Sequence, residues 1–292
     1  MYIGDFETAE GRLSYRAWGP PSAVDCFIQL HGIESHSEWF EPIGEQLARR
    51  GFATYALDRL GSGRSEGRRG DIDKGRIWVE HVHHFVAWVR AQHRPRTLHL
   101  VGSCWGGKLA VRFVLDRPGA VDSLVLLSPA LRVRVDLTPW AKFAVAWALV
   151  NDPTRTFPIP IARDNLFTRD PLALEYIRMD RLRLRRVTAR LLWATRVMDW
   201  ANLRGIDELS LPVLTLLAHD DEIVDVPGVA GLLRRARAPR LRIEVLPEAR
   251  HSLEFASPER VADAVARWLL DLGAASDAGM DTLARAATGA RR

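Results

Sequence analysis

Residues 98–115 read LHLVGSCWGGKLAVRFVL. An apolar run, Leu98 to Val101, meets Gly102-Ser103-Cys104-Trp105-Gly106-Gly107, and a helical pattern follows at once, with Leu109, Ala110, Phe113 and Val114 on one face. A strand that turns into a helix within one residue needs glycine on both flanks, because a side chain there would strike the neighbouring strand or helix. The residue at the apex, Cys104, is lifted to the edge of the sheet. A helix N-terminus beneath it favours a thiolate, which attacks far faster than a thiol. Ser103 is the competing nucleophile, but it occupies the flanking position. A small cysteine merely packed at a tight turn would not need the further glycines.

Outward from this turn, short apolar runs alternate with amphipathic helical stretches, which predicts an α/β fold with a mostly parallel central sheet and helices on both faces. The predicted core strands are 26–30, 53–57, 97–101, 123–128, 213–218 and 242–246, with an antiparallel hairpin over 2–6 and 13–18 at one edge. Helical spacing joins Trp78, Val82, Phe85, Val86 and Val89, and again Val261, Val265, Trp268 and Leu269, the second helix opening at Ser257-Pro258. Between 131 and 203 the alternation stops among prolines and aromatics. The expected division is therefore a core over 1–130 and 204–272, an inserted cap over 131–203, and a tail over 273–292.

Two loops carry the partners that a cysteine nucleophile needs. VLTLLAHDDEIVD, residues 213–225, sets acids at the end of a strand: Asp221 is the residue expected to orient a histidine, with adjacent Asp220 not separable by spacing, and Asp225 suits a helix cap. EVLPEARHSLEF, residues 244–255, supplies His251 after the last strand, so nucleophile, acid and base follow one another along the chain. The run 26–33 ends in His31-Gly32-Ile33, where the Ile33 N–H can face a developing oxyanion; the Trp105 N–H is the second donor. Each such donor carries about 3 kcal/mol of transition-state stabilisation. His31 itself suits a structural hydrogen bond.

Composition excludes several classes. Of 292 residues, 41 are Lys or Arg and 36 are Asp or Glu, and this small, dispersed excess offers no stripe for nucleic acid. The N-terminus lacks a basic region followed by an apolar one, and the longest apolar run, 143–150, falls short of the ~20 residues a membrane span takes. The expectation is a soluble cytoplasmic protein with no transmembrane segment. Cys26 and Cys104 form neither a disulfide framework nor a metal cluster, and Glu80, His81, His83 and His84 read as a solvated helix face. Neither a metal nor a cofactor is expected.

HGIESHSEWF (31–40), GFATYALDRLGSGRSEGRRG (51–70), the turn at Cys104 and the two loops resemble, across Gly11 to Leu272, the monoacylglycerol lipase and lysophospholipase branch of the α/β-hydrolase family. The resemblance implies the α/β-hydrolase fold, an oxyanion donor at Ile33 and an acid at Asp221. The chain departs from that pattern at Glu34 and Ser35, at Ser62, and above all at Cys104, where the family has serine. Polyhydroxyalkanoate synthases and dienelactone hydrolases share a cysteine at this turn but match the other motifs less well.

The chemistry expected is cleavage of an acyl ester or thioester, a small molecule or a carrier-bound acyl group, through an acyl–Cys104 intermediate. The rival expectations are an acyltransferase or cyclising thioesterase that passes the acyl group to an alcohol or amine, and a non-catalytic binding protein on the same scaffold. Trp140, Phe143 and Trp147 are expected to line a pocket for a medium or long acyl chain, against the alternative of ordinary packing within the cap.

Overall fold

The computed structural model describes residues 1–161 and 163–289, with side chains as far as Gly273. The chain begins with strands β1 (Tyr2–Thr8), β2 (Gly11–Trp18) and β3 (Asp25–Leu30), then helix α1 (Glu41–Arg49), β4 (Ala53–Leu57), α2 (Arg76–His93), β5 (Thr97–Ser103), α3 (Trp105–Asp116) and β6 (Ser123–Leu127). An insertion follows, holding α4 (Pro139–Asn151), β7 (Thr156–Pro158), α5 (Pro171–Met179), β8 (Arg186–Thr188) and α6 (Ala189–Gly205). The chain then returns to the sheet through β9 (Val213–Ala218), α7 (Val226–Leu233), β10 (Leu241–Leu246), α8 (Leu253–Ala256) and α9 (Pro258–Gly289). The expected tail, from 273, continues the backbone of α9 as far as Gly289, and 290–292 lie outside the described residues.

The main sheet has the order β1-β2-β4-β3-β5-β6-β9-β10. Pairing is antiparallel across β1, β2 and β4 and parallel from β4 to β10. The central strands β6 and β9 are buried along their whole length. Helices cover both faces there, so these strands read as unbroken apolar runs rather than alternating ones. Successive residues still divide between two cores: Ile28 and Leu100 face the side of α2 and α3, whereas Phe27 and Val101 join Val261, Val265 and Trp268 of α9.

One expected surface is instead interior. His81 is buried and its Nε2 lies 2.8 Å from Glu10 Oε2, so the α2 histidines are not a uniformly solvated face; the hairpin β1–β2 covers this part of the helix, which helix periodicity alone does not reveal.

The strand order fixes the place of the site. From β3 the chain moves outward to β4, then crosses to the opposite side of β3 for β5. At such a reversal, loops leaving the carboxyl ends of neighbouring strands part and leave a crevice. The segment after β3 begins with His31-Gly32-Ile33, and the turn after β5 holds Cys104.

Candidate active site

Cys104 has φ 51° and ψ −117°, a left-handed conformation that an L-residue adopts only when its surroundings hold it there. Its N–H donates to the Leu127 carbonyl at 3.0 Å, and its own carbonyl accepts from Gly107 N at 3.0 Å and Ala130 N at 2.9 Å. In a trans peptide the N–H points opposite the carbonyl. The Trp105 N–H, which shares its peptide with that carbonyl, is thereby turned the other way. A Cβ on Gly106 would lie 2.0 Å from the Leu30 carbonyl oxygen, and one on Gly102 would lie 2.6 Å from Gly107 Cα. The glycines thus permit the close approach of helix to sheet that raises Cys104 to the cavity. Cys26, by contrast, is sealed in the core, where burial pushes its thiol up to about 12.

His251 is buried, and its Nδ1 meets Asp221 Oδ2 at 2.8 Å. The other Asp221 oxygen accepts from Ile223 N at 2.9 Å and Val224 N at 2.8 Å, so the carboxylate is fixed before it meets the ring. Burial works against a charged imidazole, but Asp221, followed by Cys104, outweighs it and holds His251 well above the ordinary histidine range. Burial likewise pushes Asp221 up, and the His251 charge with the two backbone N–H groups brings it below the usual carboxylate value. Asp220 turns outward to Arg169 at 2.8 Å and His219 at 2.7 Å. Among the described residues, His251 Nε2 is buried without a hydrogen-bond partner.

Cys104 and His251 line one small cavity of about 10 Å³, room for about a single water molecule, whose walls include Ile33, Trp39, Ile161 and Phe167. Gly32 comes so near Cys104 that a Cβ there would lie 3.3 Å from Cys104 Cβ. Ser103 turns away from the Cys104 position, its hydroxyl lying 3.3 Å from both carboxyl oxygens of Glu254.

Arg59 organises the loop after β3. Its Nη1 donates to the carbonyls of His31 at 2.7 Å and Gly32 at 3.0 Å, and its Nη2 donates to that of Ile33 at 3.2 Å. Because Arg59 draws the Gly32 carbonyl toward itself, the Ile33 N–H, across the same peptide, points to the opposite side. His31 has the structural part expected of it: its Nδ1–H donates to Gly32 O at 2.9 Å and its Nε2 accepts from Arg59 N at 3.1 Å, while burial holds its pKa well below normal.

Sequence reasoning passed over Arg59, Arg183 and Glu254, and took Glu34 only as a departure from the family pattern. Glu34 and Glu254 line the cavity and both are buried. Arg183, from the insertion, donates through Nε to Glu34 at 2.8 Å and through Nη1 to Asp164 at 2.6 Å. Burial raises Glu34 to about 7 despite Arg183.

The aromatic residues expected around the acyl chain stand elsewhere. Trp140, Phe143 and Trp147 are 77%, 60% and 61% exposed and take no part in the cavity wall. Helix α4 buries Val145 and Ala148 against the rest of the insertion, so residues 140, 143 and 147, one helical face apart from these, turn to solvent. Ile161 and Phe167, on the connection after β7, reach the cavity instead.

Among the described residues no group of three or more His, Cys, Asp or Glu could hold a metal, and no helix is long and apolar enough to cross a membrane.

Residues 21–257 match the family described as "Serine aminopeptidase, S33". The chain is 23% identical over 255 residues to the monoglyceride lipase of Homo sapiens, covering 86% of this chain and 84% of that protein. It is 24% identical over 263 residues to the monoacylglycerol lipase of Mycolicibacterium smegmatis, covering 89% and 93%. The crystal structure of Paleococcus ferrophilus monoacylglycerol lipase superposes with a TM-score of 0.77 at 24% identity, covering 89% of this chain and 98% of that one. With its eight-stranded, mostly parallel sheet, the chain belongs to the serine aminopeptidase S33 family and is an α/β-hydrolase, an enzyme of the esterase and lipase type.

Proposed function

We propose that the enzyme cleaves a carboxylic ester or thioester of a lipid-like acyl group through a covalent acyl–Cys104 intermediate, with His251 as base and acid and Asp221 as its orienting partner. The observation that carries this reading is the buried imidazole whose Nδ1 is engaged by Asp221 while its Nε2, without a partner among the described residues, belongs to the ring that shares a cavity with Cys104. The lipase relatives support a lipid-like ester as substrate.

In this mechanism His251 Nε2 takes the Cys104 proton, and the thiolate adds to the substrate carbonyl. The oxyanion forms toward the Ile33 and Trp105 N–H groups. As the carbonyl re-forms, the bond to the leaving oxygen or sulfur breaks, and the imidazolium gives its proton to that atom. Water then loses a proton to His251 and adds to the thioester, which expels Cys104 and releases the acid. The insertion acts as a lid, contributing Ile161 and Phe167 to the cavity wall.

A second reading, transfer to an alcohol or amine, draws support from Cys104 standing where the S33 family name implies serine. A thiolate leaves more readily than an alkoxide, so a thioester intermediate, loaded from a small ester or a carrier, suits transfer. A panel of monoacylglycerols, p-nitrophenyl esters and acyl thioesters on wild type, Cys104→Ala and Cys104→Ser tests the proposal, with and without added alcohol or amine. Turnover by wild type alone or with Cys104→Ser supports it; equal turnover by wild type and Cys104→Ala refutes it.

A further inference from the structure

Basic residues that are dispersed along the sequence are gathered by the fold. The loop after β4 carries Arg64, Arg68 and Arg69, and the stretch from α5 into β8 carries Arg181, Arg185 and Arg186, all six exposed. The two stretches lie directly on one another. The Gly70 carbonyl accepts from Thr188 N at 2.9 Å, a Cβ on Gly70 would lie 2.5 Å from the Arg186 carbonyl oxygen, and Arg69 Nη2 donates to the Leu182 carbonyl. Among the described residues none of the six pairs with a carboxylate, because the acids nearby are taken: Glu66 by Arg12, Asp71 and Asp73 by Arg190, and Asp180 by His36. Like charges crowded in this way repel, and the cost falls when an anionic surface arrives.

Four of the guanidinium groups are also held in place. Arg68 Nη2 donates to Thr154 O at 3.1 Å, Arg69 Nη1 to Gly63 O at 2.9 Å, Arg185 Nη2 to Arg178 O at 3.2 Å and Arg186 Nη2 to Thr156 O at 2.6 Å. A guanidinium has five N–H groups in a planar fork, so most remain for a carboxylate, which the fork can meet with two bonds at once. Residues 61–70 and 181–186 expose no large apolar side chain, so this surface has nothing to insert into a bilayer and no ring on which a base could stack. On its inner side the second stretch reaches the cavity: Leu184 N donates to the Glu34 carbonyl at 2.9 Å and Arg183 Nε to the Glu34 carboxyl at 2.8 Å, and Glu34 shares the cavity wall with Cys104.

We propose that this arginine surface docks an acidic carrier protein that brings the acyl group as a thioester, an inference that deepens the acyl–Cys104 reading and rests on it for its place in the reaction. The Cys104 thiolate would then form its bond to the acyl carbon as the bond to the carrier sulfur breaks, and the proton held by His251 would pass to that sulfur. Charge complementarity sets the rate of encounter and the register of such a complex more than contact area does.

Fluorescence anisotropy of a labelled bacterial acyl carrier protein, phosphopantetheinylated but unacylated, titrated with the full-length protein, tests the docking without turnover. Wild type is expected to bind, and more weakly as salt is raised. Arg64→Glu with Arg181→Glu, neither of which makes a side-chain hydrogen bond among the described residues, is expected to weaken binding at least about tenfold, the effect of like charges brought face to face. Arg234→Glu with Arg237→Glu, the same change of net charge placed after α7, is expected to leave binding within twofold. No binding by wild type, an unchanged affinity in Arg64→Glu with Arg181→Glu, or an equal loss in the second pair would overturn the proposal. So would tighter binding of wild type to phosphatidylserine vesicles or to duplex DNA than to the carrier. Should the carrier dock while no acyl adduct forms on Cys104 from an activated ester, the acyl-enzyme reading fails and the docking surface stands; an adduct without docking gives the reverse.

Discussion

The guanidinium of Arg59 lies 4.3 Å from the centre of the Trp105 ring while donating hydrogen bonds to the carbonyls of His31, Gly32 and Ile33. One side chain therefore touches both residues whose N–H groups face the developing oxyanion in the proposed mechanism. Burial pulls its pKa down to about 9, which still leaves it charged at neutral pH. Arg59→Met is expected to lower kcat on an acyl p-nitrophenyl ester by about 10²-fold with little change in KM, the cost of misplacing an oxyanion donor. Arg59→Lys is expected to fall nearly as far, because one ammonium cannot reproduce a planar fork serving three carbonyls. Rates within twofold of wild type for either variant would remove Arg59 from this role.

Asp221→Asn is expected to reduce kcat by about 10⁴-fold with the fold intact, because the amide favours the wrong imidazole tautomer. His251, now raised by Asp221, is expected to titrate lower in the variant, which ring-nitrogen NMR reads directly. The stability consequence has a definite sign. A raised His251 stabilises fully below its ordinary value of 6.5 and loses that contribution as pH climbs through the folded-state value; a lowered Asp221 stabilises above 3.8 and loses its contribution as pH falls through its own. Urea midpoints of wild type and Asp221→Asn should therefore differ most between those two ordinary values and converge at both extremes.

Two glycine substitutions separate close approach from ordinary helix propensity. Gly106→Ala drives a Cβ to 2.0 Å from the Leu30 carbonyl oxygen, a backbone atom that cannot rotate away, and should cost at least about 3 kcal/mol or prevent folding. Gly231→Ala, within α7, meets nothing within 4 Å and should stabilise by about 0.5–1 kcal/mol. Thermal unfolding of the two variants checks both signs.

Arg183→Leu leaves Glu34 buried without its cation and should cost about 3–5 kcal/mol. Glu34 is already raised to about 7, so its ionisation erodes wild-type stability as pH rises from 4.5 through 7. Without Arg183 the carboxyl titrates higher still. The stability gap between wild type and Arg183→Leu should then be wider at pH 8 than at pH 5, which denaturant titrations at the two values measure; a gap that narrows would place the cation's effect elsewhere.

The strands and the turn at Cys104 were legible because their signals are local: unbroken apolar runs in the central strands, and glycines where Leu30 and Gly107 press against the turn. Asp221 and Asp220 were inseparable in sequence, since adjacent turn residues differ only in which way the folded loop points them. Arg59 reads as an ordinary loop arginine until β3 and β4 pair and set it over the carbonyls of 31–33. The Glu34–Arg183 contact spans 149 positions, and the Ser103–Glu254 contact 151, distances at which no periodicity carries information. For α4, aromatic content suggested a pocket, while the small residues Ala144 and Ala148 decide which face packs.

Intact-mass spectrometry after brief mixing with an activated medium-chain acyl ester tests the covalent reading most directly. One acyl group is expected on wild type, mapped to Cys104 by peptide analysis, and none on Cys104→Ala. An unmodified wild type, or an equal adduct on Cys104→Ala, would contradict it.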